Sequence, residues 1–325
     1  MMSVHRRAIL RLLGIVVLSV FAVGCAGGTG GGGGGNQGGS ETGQVDLSGL
    51  EITVGSKEFT EQLILGQIAI QALENAGATV EDRTGLSGTE AAREALESGE
   101  IDAYWEYTGT AWITHLGETE PFPDPQEQYR AVADRDLEEN GIRWLPPAPA
   151  NNSFAIAVRS EAAGVLGVES LSALGVLAEL RPEDATLCAA DEFLNREDGL
   201  PGLEEAYGFE LPDENIVETE LDDIYGAVDE GERCNFGEVF VTDGRVGALD
   251  LTVLEDDQQF FPFYNPSLNV RQEVMDQNPG IADLFAPISE ALTNETLRDL
   301  NARVDVDGES EAEVARQFLR ENELL

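Results

Sequence analysis

Lys57 is the only lysine in the chain and stands in Gly55-Ser56-Lys57-Glu58-Phe59-Thr60-Glu61-Gln62, directly after an apolar run. A strand, a tight Gly-Ser turn, a lysine and a helix opening at Glu58 put a cation at the carboxyl end of a strand. Open α/β sheets bind ligands at that edge. An anion held there also meets the positive end of the following helix. Residues for bond-breaking chemistry do not fall into known patterns. There is no Gly-x-Ser-x-Gly elbow, no His-Glu-x-x-His and no Gly-x-x-x-x-Gly-Lys phosphate loop. Beyond the leader His115 is the only histidine, so a Ser-His-Asp triad has one candidate member with no motif around it. Carboxylate pairs abound, but none is distinguished from surface charge. The expectation is a binding protein without catalytic residues, cofactor or metal.

Composition narrows the partners. With 62 acidic against 19 basic residues the formal net charge is −43, which repels nucleic acid and acidic lipid surfaces. So acidic a chain reads first as disordered. Yet 42% of residues are hydrophobic, and apolar periodicity runs through the chain from about residue 50. The better reading is a folded protein with a carboxylate-covered, brine-tolerant (halophilic) surface.

The N-terminus reads as targeting sequence. His5-Arg6-Arg7 and Arg11 form a basic region, and Leu12 to Val23 is uncharged and apolar. At about a dozen residues it is short of the ~20 that span a bilayer. Ala22-Val23-Gly24-Cys25 resembles a bacterial lipobox, although alanine stands where leucine is usual. Residues 1–24 are read as a signal peptide, and residues 25–47 as a lipidated Cys25 with a Gly-rich tether. The alternative is a secretory signal cleaved without lipidation. A tether of this composition is a random coil reaching roughly 25 Å. Such an anchor holds a domain on the outer side of a membrane. Cys188 and Cys234 then remain as an even pair in an oxidising compartment, either bridged or as two buried thiols.

Strand and helix patterns alternate, which argues α/β with largely parallel sheets. The expected elements begin with a strand at 51–54, a helix at 58–76 stopped by Gly77, and a strand at 78–82. A helix capped by Thr89 and a strand at 101–107 follow. After a loop at 118–125 a charged helix runs to about Asn140. Pro146-Pro147-Ala148-Pro149 forces an extended connector. A second unit starts with a strand at 153–159. It includes a helix at 171–180, strands at 186–189 and 238–241, and a helix at 222–230. Phe260-Phe261-Pro262-Phe263-Tyr264-Asn265 forms a second connector, and residues from Gln272 on are mostly helical. Two connectors imply two crossings between lobes. Lobe 1 is expected at 48–150 plus 259–325 and lobe 2 at 151–258.

Short ungapped strings carry a resemblance: Gly55–Gln62, Gly85–Thr89, Gly99–Thr110, Asn151–Val158, Glu192–Gly202, Phe240–Gly244 and Leu254–Tyr264. Together they resemble the ProX/OpuAC-like substrate-binding proteins of ABC importers for glycine betaine, choline and related quaternary-ammonium osmolytes. Gly55-Ser56-Lys57-x-Phe59-Thr60-Glu61-Gln62 and Glu106-Tyr107-Thr108-Gly109-Thr110 are the most specific strings. The resemblance covers about residues 50–325. It implies a two-lobed periplasmic-binding-protein fold, type II-like, closing over a ligand in the cleft. It also implies an aromatic cation cage at Tyr107, Phe154, Phe240 and Tyr264, and a carboxylate clamp at Lys57, Thr110 and Arg196. Phenylalanine stands at 154 and 240 where the family has tyrosine, and Asn152 stands where aspartate is frequent.

Ring faces attract a trimethylammonium group, which has no strong hydrogen-bond donor, at about 0.5–2 kcal/mol per ring. Arg196 can grip a carboxylate bidentately and Lys57 adds a point charge. The expected function is delivery of glycine betaine or a related solute to an ABC permease by a membrane-anchored monomer. Choline, carnitine or another amine is the alternative within the fold, and an anchored hydrolase the alternative outside it. A choline molecule, lacking a carboxylate, is expected to leave Lys57 and Arg196 unpaired.

Overall fold

The computed structural model describes residues 45–119 and 122–325. Cys25, the leader and most of the tether lie outside them. Ten strands form two five-stranded sheets. The first contains β1 (Glu51–Lys57), β2 (Thr79–Leu86), β3 (Ala103–Tyr107) and β4 (Ile142–Trp144), together with a strand from the far end of the chain. The second contains β5 (Phe154–Arg159), β6 (Leu187–Ala189), β7 (Ile216–Glu218), β8 (Phe236–Phe240) and β9 (Leu251–Val253). Then β10 (Pro266–Arg271) returns to the first sheet, giving the orders β2-β1-β3-β10-β4 and β7-β6-β8-β5-β9.

The sheets are mixed, which corrects the expectation of largely parallel ones. β1 runs parallel to β2 and β3, and β6 parallel to β7 and β8. β10 is antiparallel to β3 and β4, and β5 is antiparallel to β8 and β9. In each sheet the antiparallel strand follows directly on a chain crossing. A chain arriving from the other sheet enters from the cleft side, against the direction of the strands that end there. No element had been expected at β10.

Local sequence explains where elements stop and start. The helix Thr60–Asn75 is followed by Gly77 at φ 97°, which a side-chain-bearing residue resists. Asp124 caps the helix Pro125–Asn140 through the Gln126 and Glu127 N–H groups, with Pro125 in its first turn. Three expectations need revision. β1 continues through Gly55 and Ser56 to Lys57 and the next helix begins at Thr60, so no tight Gly-Ser turn precedes the lysine. The helix Gly88–Ser98 begins before Thr89, so Thr89 is not its cap, and its hydroxyl is committed elsewhere. Leu47, counted with the tether, is buried in the first core, so packed chain begins earlier than expected.

The first core packs the helix Thr60–Asn75 and the C-terminal helices against β1, β3 and β10. In the second unit β6 is also joined covalently to the segment just before β8. Cys188 and Cys234 form a disulfide with Cα atoms 5.7 Å apart, so the pair is bridged.

Candidate functional site

Three strand ends and a connector converge on one cavity. Lys57 closes β1, Tyr107 closes β3, and Phe240 closes β8. Tyr264 lies on the connector leading into β10. Gly109 permits this approach, because a Cβ there would lie 2.8 Å from the Tyr264 ring and 2.9 Å from the Phe263 carbonyl oxygen. The cavity measures about 60 Å³, several times the room one water needs. Lys57, Tyr107, Thr110, Asn152, Phe154, Arg196, Phe240 and Tyr264 all line it.

Its apolar walls are rings. Phe154 and Phe240 are register partners on β5 and β8, with ring centroids 5.3 Å apart. Phe59 stacks on Phe240 at 5.2 Å and faces Tyr107 at 6.4 Å. Tyr264 meets Phe154 edge-on at 5.6 Å. Both tyrosine hydroxyls are spent on fixing their rings. Tyr107 donates to Glu61 Oε1 at 2.8 Å, and Tyr264 to Asp198 Oδ2 at 2.7 Å. Burial, reinforced by those carboxylates, raises both phenols well above the usual range, so they remain neutral donors. Phe154 also packs on Phe193 of the second core at 5.3 Å, so it serves the core and the cavity together.

The charged wall departs from the expected clamp. Lys57 Nζ donates to Glu106 Oε1 at 2.8 Å and to Thr89 Oγ1 at 3.0 Å. Burial pushes the Glu106 carboxyl up, but Lys57 and His115 overcome this and hold it well below the usual range. Arg196 forks onto Asp198 at 2.7 and 2.6 Å and reaches Glu192 at 2.6 Å. Both cations are therefore paired inside the protein. A ligand without a carboxylate does not strand them, contrary to expectation. Although Asn152 stands where aspartate is frequent, carboxylates are present at the cavity, because Glu192 and Glu238 line it. The reason is the acidic composition: buried charges are costly unless paired, and each cation found its partners within the chain.

Asn152 serves a second network. Its amide and that of Asn301, together with the hydroxyls of Thr242 and Tyr107, all donate to Glu61, with the Asn152 bond at 2.9 Å and the Thr242 bond at 2.6 Å. Thr242 follows β8 of the second sheet and Glu61 follows β1 of the first, so this carboxylate joins the two sides. Thr89 does the same on the opposite rim, donating to Glu192 Oε1 at 2.7 Å. His115 is buried against Glu106 at 3.2 Å and does not line the cavity.

Several lining residues were missed by sequence reasoning. Phe59 and Glu192 stood inside quoted strings, and their place in the site was signalled there. Glu238 sat in a strand pattern that pointed to core, and nothing in sequence marked it.

The comparisons with known proteins agree with this geometry. A family model described as the substrate binding domain of ABC-type glycine betaine transport systems matches residues 51–321. A glycine-betaine-binding protein of Pseudomonas aeruginosa is 42% identical over 279 residues, covering 84% of this chain and 88% of its own. The glycine betaine-binding protein YehZ of Escherichia coli is 36% identical over 277 residues, covering 83% and 90%. A solved structure of apo YehZ superposes with a TM-score of 0.64 at 34% identity, covering 85% of this chain and 99% of that one.

Proposed function

We propose that this chain, which belongs to the family of substrate-binding domains of ABC-type glycine betaine transport systems, holds a compact quaternary-ammonium solute in its ring-lined cavity. The observation that carries the reading is the set of five rings, Phe59, Tyr107, Phe154, Phe240 and Tyr264, around one small cavity. Their faces offer a cation several attractions of about 0.5–2 kcal/mol each, and more when dry. The names of the two bacterial relatives favour glycine betaine as the solute.

The rest of the reading follows from that role. The two lobes, 48–150 with 259–325 and 151–258, close on the solute and present it to a membrane permease. Thr110, Lys57 and Arg196 form the polar end of the site, with Asn152 holding Glu61 in place. The protein performs no chemistry on its cargo and works as a monomer outside the cytoplasm. A lipidated Cys25 tethers it to the membrane. The five rings around the cavity support cation recognition over a hydrolase that uses two carboxylates.

Isothermal titration of the purified protein with glycine betaine, carnitine, choline and proline tests the reading. Saturable 1:1 binding of a quaternary ammonium compound, with the solute recovered unchanged, is expected. Binding of proline in preference to every methylated amine overturns it.

A further inference from the structure

Strand alternation puts Phe236, Glu238 and Phe240 on one face of β8, and Gly237 and Val239 on the other. Phe236 is core and Phe240 lines the cavity. Glu238 between them is 2% exposed. A carboxyl there is costly unless it is paired. The protein supplies one hydrogen bond, from the Ala190 N–H to Oε2 at 2.9 Å. The second oxygen makes no hydrogen bond among the described residues, and the side chain lines the cavity. Among the described residues, both cations that line the cavity are engaged elsewhere. Lys57 is held by Glu106, and Arg196 by Asp198 and Glu192. Those two cations already face three carboxylates, so the wall carries surplus negative charge before Glu238 is counted.

We propose that Glu238 sets the charge class of the ligand: ionised, it admits a quaternary-ammonium monocation to the cage, and protonated, it withholds that pairing. The proposal rests on the quaternary-ammonium reading above and assigns within it a specificity role to one residue.

The groups facing Glu238 fix the direction of the effect. Glu192 and Arg196 approach from the segment after β6, Lys57 from β1, Tyr107 from β3, and Tyr264 from the connector, while Glu58 sits at the mouth. Burial first, and then Glu192, push the Glu238 carboxyl up to about 8. In the empty cavity it therefore keeps its proton at neutral pH. A cation beside it favours the anion, so binding expels the proton. Affinity for a monocation then rises with pH and levels above about 8. A zwitterion brings its own carboxylate and gains nothing from the ionised form. His115 packs against Glu106 and not against Glu238.

The test is calorimetric titration of the full chain with choline and with glycine betaine from pH 6 to 9, for wild type and Glu238→Gln. In the wild type, choline affinity should rise up to about tenfold per pH unit and level above pH ~8, while betaine affinity does not rise. Repeating pH 7 in buffers of different ionisation enthalpy should show about one proton released per choline and none per betaine. In Glu238→Gln the choline-to-betaine ratio should lose its pH dependence. A flat choline profile, or a slope kept intact in Glu238→Gln, overturns the proposal while leaving the cage reading standing. If Glu238→Gln does not fold, the wild-type proton count decides alone, and its absence overturns the proposal. Failure of the folded wild type to bind either compound at any pH removes the quaternary-ammonium reading and this proposal with it.

Discussion

Phe154 and Phe240 face each other across antiparallel strands as register partners, and their rings meet at 5.3 Å beside the cavity. A one-residue slip of either strand would send one ring to the opposite face of the sheet. The aromatic wall of the site is thus a product of strand register in the second sheet. Ring and register are coupled, and substitutions can separate their roles.

Phe154→Leu and Phe240→Leu should fold and lose about 0.5–2 kcal/mol of glycine betaine affinity for each ring removed. Phe240→Tyr, at the open side of the wall, should keep affinity. Phe154→Tyr should cost roughly 1–3 kcal/mol of stability if its hydroxyl is driven toward Phe193. Paired calorimetry and thermal melts check this, and leucine variants with unchanged binding would take both rings out of the cage.

Lys57→Met should destabilise the fold by roughly 3–5 kcal/mol, because the buried Glu106 carboxylate would lose its lysine partner. Lys57→Met with Glu106→Gln should recover much of that loss. Denaturant melts of the single and double variants measure it, and equal stability of the two would mean the ion pair is not the cause.

Stability should also depend on pH through two carboxyls with opposite signs. Glu106 is held below its unfolded value of 4.5, so its contribution is present above that pH and is lost as pH falls through the folded value. Glu238 is raised from 4.5 to about 8, so its contribution is full below pH 4.5 and is lost as pH rises toward 8. Wild type should therefore lose on the order of a few kcal/mol between pH 5 and 8 from Glu238. Glu238→Gln should flatten that interval, and an unaltered wild-type slope in the variant would assign the loss to other groups.

Opening the Cys188–Cys234 bridge, by reduction or by paired serine substitution, should lower stability by roughly 2–4 kcal/mol. Cys188 lies on β6, which leads to Ala190 and the Glu238 contact, so the ligand affinity of the reduced protein should fall too. Melts with and without reductant, followed by choline titration, provide the check.

Periodicity and breakers in the sequence were enough to place the start of β1, the helix Leu171–Leu180, both connectors and the strings around Tyr107 and Phe240. These signals are local: apolar spacing, glycine and proline act within a few residues. The sequence also sufficed to nominate eight lining residues, because the strings that carried the family resemblance sit at strand ends. Tertiary structure alone decided what Lys57 faces. Glu106 and Thr89 lie far away in sequence and only folding brings them onto Lys57, whereas Glu192 and Asp198 are sequence neighbours of Arg196. The direction of β10 was likewise invisible, since pairing partners of a strand lie far away in sequence. Glu238 is the sharpest case. Its neighbours read as a core strand, and whether a carboxyl there meets core or cavity depends on where the other sheet comes to rest.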